Sequence, residues 1–489
     1  MGSVIRSAAM SRASLVIACC LCSNALASPN SDPTAGRSVF TGATVAAATS
    51  IDLNPAAIGP GSTDYIYAAA TAVLDRYNVR LDSLDVTSGA ITPGTPIHDT
   101  ELGAGGTAAI VYHLPGDRAT ISGELGTVPS EKFITNQEAL AYHTLGGGER
   151  TLHGGIGASI RITDAFYFGL SLRSDATYLH LHYARDTALD NGHGPNGIDS
   201  DCGGAPCGVQ NPLAEERYDV NVQTSLLSTS NLVLNLGVLI ELSTDVWLGV
   251  AYHTPPGLEI QTELTGTMDV RQAPRDGGML LHGASSVFVS QPASADAELR
   301  ARLRSKLDLH VGLRWEDLSR LQAYDVRGYG STFFAANIPE WQPRARGFHD
   351  PLAAWVGVEQ VELDQDVDWL RFGARLGFET SSLPDEDTTP LTISPFSYTL
   401  DVGMQLRFKH VLPHVLFQAA YGLQYFPTVN VTNSAFDPRS RIDCVASGYD
   451  YSTAACAAVR DGYGFPTADG RYDRLEQALR IAFIYEFGS

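Results

Sequence analysis

The stretch SKLDLHVGLRWE, residues 305–316, alternates with a period of two. Leu307, Leu309, Val311, Leu313 and Trp315 fall on one side, and Lys306, Asp308, His310, Gly312 and Arg314 on the other. Successive side chains of an extended chain point to opposite faces, so this is a strand with one apolar and one charged face. Whether the apolar face meets a protein core or lipid decides the fold.

The same pattern recurs along the chain. In WLRFGARLGFE, Leu370, Phe372, Ala374, Leu376 and Phe378 alternate with Arg371, Gly373, Arg375, Gly377 and Glu379. FSYTLDVGMQLRF (396–408), NLVLNLGVLIE (231–241) and LEQALRIAFIYEF (475–487) repeat it. Such segments exceed the usual five or six residues of soluble strands and match the roughly 9 to 11 tilted residues that cross a bilayer. Aromatics collect near strand ends (Trp315, Tyr398, Phe408, Tyr485, Phe487), where a membrane interface places its girdles, and the other face is polar, as a barrel interior is. A soluble sandwich also alternates, but it does not account for both features.

Connections give an independent test. Short links such as PGD (115–117), ITDA (162–165), STD (243–245), EDLSR (316–320), DQDVD (364–368) and KHVLP (409–413) alternate with long polar stretches at 185–230, 262–297 and 427–470. The predicted strands are 64–80, 105–114, 118–128, 154–162, 165–183, 231–242, 246–262, 298–316, 320–330, 350–363, 369–380, 396–408, 414–426 and 473–487. Fourteen is an even number, as in single-chain bacterial barrels. The expected fold is all-β: a transmembrane antiparallel β-barrel of about 14 strands, with an N-terminal hatch plugging its lumen.

Composition and the termini agree. The chain has 489 residues, 44% hydrophobic and 18% charged, with no run long enough for a spanning helix. A formal charge of −21 argues against nucleic acid, which requires a basic patch. Arg6 and Arg12, the short apolar run ASLVIACCLC and Ala25-Leu26-Ala27 read as a secretory signal peptide over 1–27, cleaved before Ser28; VIAC at Cys19 also loosely resembles a lipobox. Residues 28–62 then form the hatch and 63–489 the barrel. Of seven cysteines, Cys202, Cys207, Cys444 and Cys456 remain after cleavage. An even count in an exported chain suggests disulfides, and proximity favours Cys202–Cys207 and Cys444–Cys456 among three pairings.

Residues 36–58, GRSVFTGATVAAATSIDLNPAAI, resemble the N-terminal hatch of the FadL-type outer-membrane transporters of long-chain fatty acids and other hydrophobic compounds. That hatch runs from a Gly-Arg pair through an Ala-rich stretch to Asn-Pro-Ala, here Asn54, Pro55 and Ala56. LGVAYHTPPGLEIQTELTG (248–266), GFHDPLAAWVGVE (347–359) and LRFGARLGFETSSLPDE (370–386) are similar to later pieces of the family, in order. The resemblance implies passive passage of hydrophobic molecules: loop capture, transfer to a pocket beside the hatch, and lateral exit at a kinked third strand. Gly123, Gly126 and Pro129 are the residues that would bend that strand, and Asn54-Pro55-Ala56 the gate or a turn. The terminal Gly488-Ser489 after Phe487 departs from the aromatic ending that the barrel assembly machinery reads.

A ligand carboxylate would need a basic partner, for which Arg173, Arg314, Arg371 and Arg375 are the inward-facing candidates, although for each an ion pair with interior Asp or Glu is the stronger reading. His180 and His182 have metal-ligand spacing without an evident third ligand, so neither metal nor cofactor is expected. No Gly-x-Ser-x-Gly, His-Glu-x-x-His or Walker motif occurs, and a non-enzyme is expected. The expected partners are a long-chain fatty acid or other hydrophobic small molecule and outer-membrane lipid, with the barrel a monomer in the bacterial outer membrane. An open diffusion porin and an adhesin-like barrel are the alternatives.

Overall fold

A computed structural model describes residues 39–487 apart from 187–218, most of 437–466 and a few shorter stretches in the connections. The segment read as a signal peptide, Pro129, Cys202, Cys207, Cys444, Cys456 and Gly488-Ser489 lie outside the described residues. The chain forms a closed antiparallel barrel of fourteen strands. These are β1 (Asp64–Leu81), β2 (Ile97–His113), β3 (Ala119–Thr127), β4 (Gly146–Thr163), β5 (Phe166–Asp186) and β6 (Asp219–Ser243). Four crossings follow that are each broken in two: β7 (Val246–His253 and Thr262–Arg271), β8 (Leu280–Val289 and Ser294–Arg304), β9 (Leu307–Glu316 and Ala323–Tyr329) and β10 (Trp341–Ala345 and Leu352–Asp364). β11 (Asp368–Glu379), β12 (Ser397–Phe408), β13 (Val415–Val431) and β14 (Gly470–Phe487) complete the ring, and Asp64 opposite Phe487 closes β1 on β14.

The face assignment of the opening stretch holds. Val311, Leu313 and Trp315 point outward and are 46%, 48% and 37% exposed, while Asp308, His310 and Glu316 are buried on the inner face. Leu376, Phe378, Tyr398, Leu400, Phe483 and Tyr485 are likewise exposed outside. Tyr252, Trp315, Phe378, Tyr398 and Tyr425 occupy neighbouring positions across the register of β7 to β13 and form one aromatic rim. An outward apolar band with an aromatic rim around a polar interior is the arrangement lipid requires.

Two predicted elements need correction. EDLSR (316–320) is no turn between strands: β9 runs on past it, with a single 3-10 turn at Leu318–Arg320 in mid-crossing. The chain passes from β8 to β9 instead between Arg304 and Leu307, inside the predicted segment 298–316, and the first half of β8 lies in what reads as a loop, 262–297. The count of fourteen survives because one strand read as two offsets two strands read as one. Leu280–Val289 escapes notice because its sequence, LLHGASSVFV, lacks the apolar-out alternation.

The reason lies in the barrel's height. β6 has 25 residues, far more than a bilayer crossing needs. At the level of the breaks in β7 to β10, the register of β5 against β6 also shifts, between Asp175 and Thr177. Above that level the polarity of the two faces inverts. On the second half of β7, Leu264, Met268 and Val270 are buried inward while Glu263, Thr265 and Arg271 face out. On β5 and β6, Leu179, Leu181, Tyr183, Val222 and Leu226 turn inward. A polar exterior belongs in water, so this part stands clear of the hydrocarbon.

Candidate functional site: a seated hatch below an apolar upper lumen

The described hatch residues run from Val39 into a one-turn helix α1 (Ser50–Leu53) and a 3-10 turn at Pro55–Ile58. Asn54 joins the two. Its Oδ1 accepts from the Ala56 N–H at 3.1 Å, an N-cap, and Pro55 occupies the first position of the turn, where no donor is missed. Its Nδ2 donates to Ala43 O (2.6 Å) and to Val238 O of β6 (3.1 Å). Asn54 and Ala56 are fully buried. One side chain thus caps the turn, folds the hatch back on itself and pins it to the wall.

The wall is cut to receive it. A Cβ built on Gly169 of β5 would lie 2.0 Å from the Ala56 nitrogen, and one on Gly237 of β6 would lie 2.0 Å from Asn54 Oδ1. Gly249 of β7 approaches Ala43 O as closely, at 2.1 Å. Polar wall groups then meet the hatch carbonyls: Ser159 Oγ donates to Ala56 O (3.0 Å) and Ser171 Oγ to Ile51 O (2.7 Å). Asn235 donates to Ser171 Oγ (2.9 Å), and His253 sits between Asn235 Oδ1 (3.0 Å) and Asp296 Oδ2 (3.1 Å). On the far side, Glu298 of β8 accepts from the Thr44 N–H (3.1 Å) and from its hydroxyl. His310 stands between Glu298 and Glu359 at 3.5 and 3.6 Å. The alternation places all these wall residues on the inner face; only the closed barrel brings them to one hatch.

The four arginines face inward and each meets carboxylates. Arg173 pairs with Asp175 (2.8 Å) and with Asp52 of the hatch (3.3 Å). Arg314 pairs with Glu316 (2.7 Å), Arg371 with Glu359 and Asp308, and Arg375 with Asp401 (3.4 Å) while lying over the Trp355 ring. Arg314 and Arg375 border a small cavity, about 50 Å³, between the hatch segment Thr41–Ala43 and the wall. His180 and His182 point outward above the membrane belt, bonded to Ser225 (3.2 Å) and Asn221 (2.8 Å). Gly123 and Gly126 lie within β3, paired on both sides without a register shift.

β3 itself is short. It ends at Thr127 opposite Gly106, while β2 continues to Ile97 and β4 begins at Gly146. Residues 97–105 of β2 pair with β1 but not with β3. Among the described residues the wall is thus thinned between β2 and β4. Above the hatch, inward apolar residues of β5 to β9 form one cluster with Phe333 of helix α2 (Ser331–Ala335), Phe348 and Leu383.

No family model matches the sequence, and no curated protein matches it either. Solved structures do. The chain is similar to a Pseudomonas aeruginosa FadL homologue, with a TM-score of 0.72 at 14% identity, covering 92% of this chain and 96% of that one. It is similar to the Pseudomonas putida toluene transporter TodX, with a TM-score of 0.57 at 12% identity over 93% and 96% of the two chains. For the Ralstonia pickettii toluene transporter TbuX the values are 0.55 and 13%, over 90% and 94%. Identities this low speak for architecture alone, and the architecture agrees along nearly the whole length. The fold of this chain is therefore the FadL type.

Proposed function

We propose that the protein is an outer-membrane channel for the passive uptake of hydrophobic molecules, long-chain fatty acids foremost. The observation that carries this reading is the inversion of the barrel's faces. Where the wall stands in water, its lumen is lined by Leu179, Leu181, Leu264, Met268 and Val287, an apolar surface that a channel for polar solutes has no use for. In the proposed path a ligand partitions into this upper lumen, passes to the cavity beside the hatch and leaves sideways through the thinned wall at the end of β3. The similar solved structures, a FadL homologue and toluene transporters, point the same way. The seated hatch speaks against an open diffusion porin.

A second reading of the ligand has support of its own. Each of the four candidate arginines, Arg173, Arg314, Arg371 and Arg375, already holds one or more of the protein's own carboxylates. A neutral ligand such as an aromatic hydrocarbon makes no demand on them. Uptake of radiolabelled oleate and of toluene by cells expressing the protein, against cells lacking it, separates the two. Uptake of neither, with the barrel in the membrane, would refute the channel proposal.

A further inference from the structure

Asp52 of helix α1, Glu124 of β3 and His153 of β4 converge at the edge of the hatch. One donor atom from each lies within 4.8 Å of the other two, and all three residues are buried. Glu124 Oε1 and His153 Nε2 are 3.9 Å apart, both side chains wholly out of solvent. Neither oxygen of the Asp52 carboxylate accepts a hydrogen bond from an N–H or hydroxyl donor among the described residues; Glu124 lies beside it, and Arg173 faces it at 3.3 Å, a cation shared with Asp175. Asp52, Glu124 and Asp175 gather three carboxyl groups around the Arg173 guanidinium in a dry site. A buried charge in that state is costly unless a cation or hydrogen bonds offset it. The neighbouring backbone leaves room for the cluster: a Cβ on Gly126 would lie 2.7 Å from His153 Nε2, and one on Gly155 would lie 3.5 Å from Glu124 Oε1.

We propose that Asp52, Glu124 and His153 bind a zinc ion that ties the hatch to the third and fourth strands. One imidazole and two carboxylates are a donor set that suits zinc, whose bonds to N and O are about 2.0–2.2 Å, so the three donors draw together as the ion enters. The ion adds positive charge beside these carboxylates and coordinates the buried Asp52 oxygens. It also joins the plug to the strand that ends at the thinned part of the wall, so metal binding and hatch position are linked. No motif announces these residues, because they come from three elements far apart in sequence and no two share a strand.

The test uses the full-length barrel purified in detergent, stripped with chelator and titrated with Zn²⁺ alone. We expect one tightly held equivalent per barrel after desalting, and at least tenfold weaker binding in each of Asp52→Asn, Glu124→Gln and His153→Gln. His180→Gln, on the outer face, should bind as the unaltered protein does. Folding of every variant is checked by heat-modifiable migration on gels. Co²⁺ added to the unaltered protein provides a second readout that needs no variant: a visible spectrum of low-symmetry, mixed N/O coordination is expected. Zinc uptake no greater than that of the triple variant, or a Co²⁺ spectrum of the aqueous ion, overturns the proposal. Neither measurement depends on what the barrel transports.

Discussion

Asn54 shows how much one side chain can hold. Its hydrogen bonds to Ala43 and Ala56 are buried and the one to Val238 is partly so, and removing the amide takes a partner from the Ala43 and Val238 carbonyls and the Ala56 N–H. Unmet buried groups cost about 1–3 kcal/mol each. Asn54→Ala should therefore unseat the hatch without unfolding the barrel, which limited proteolysis would register as faster cleavage within 39–58 at unchanged gel mobility. Gly169→Val tests the same seat from the wall. With a Cβ already 2.0 Å from the Ala56 nitrogen, valine cannot coexist with the docked hatch, and planar-bilayer recordings should show larger single-channel conductance. An unchanged conductance would mean that the seat adapts. The Asn-Pro-Ala motif was readable in advance as a turn, since proline and asparagine are turn residues for local reasons. The glycines that receive it were readable only as inward-facing positions, since their reason is a contact with another part of the chain.

The half-strands of β7 to β10 are where element-level reading fell short. Below the breaks, alternation is apolar-out; above them it is apolar-in, and the two patterns are the same string of letters shifted by one. A reader who expects lipid outside finds nothing in Leu280–Val289 to mark a strand. The upper half carries its own prediction. Met268 is fully buried in the upper lumen on β7, so Met268→Asp places a charge in the proposed ligand path while leaving the membrane belt untouched. Hydrophobic uptake should fall at least tenfold with the amount of barrel in the membrane unchanged. Equal loss from Glu263→Gln on the outward side of the same half-strand would argue against a luminal route.

At the scale of the molecule, stability and permeability separate. The barrel is held by a closed ring of antiparallel pairs and by lipid against its apolar belt. Val311→Arg, outward and near the middle of β9's lower half, should cost about 2–4 kcal/mol, the penalty for arginine at the bilayer midplane, read as a lower urea midpoint in liposomes. The hatch contributes little to that ring. Deleting 28–60 should leave a folded barrel with high, unselective conductance, and selective uptake that survives the deletion would remove the hatch from the mechanism.

Local periodicity was enough to determine that the chain is a membrane β-barrel with a separate small-residue segment ahead of it, while the count of fourteen came out right because one strand read as two offset two read as one. Side-chain alternation is a property of each strand alone, and lipid acts on each strand in the same way wherever it sits in the ring. The sequence could not reveal which inner-face residues would face one another across the lumen. That Thr44 meets Glu298, that Ile51 meets Ser171, and that Asp52, Glu124 and His153 share one dry space depends on ring closure and strand stagger. Contacts between residues on separate elements leave no periodic trace in either segment, so only the tertiary structure decided them.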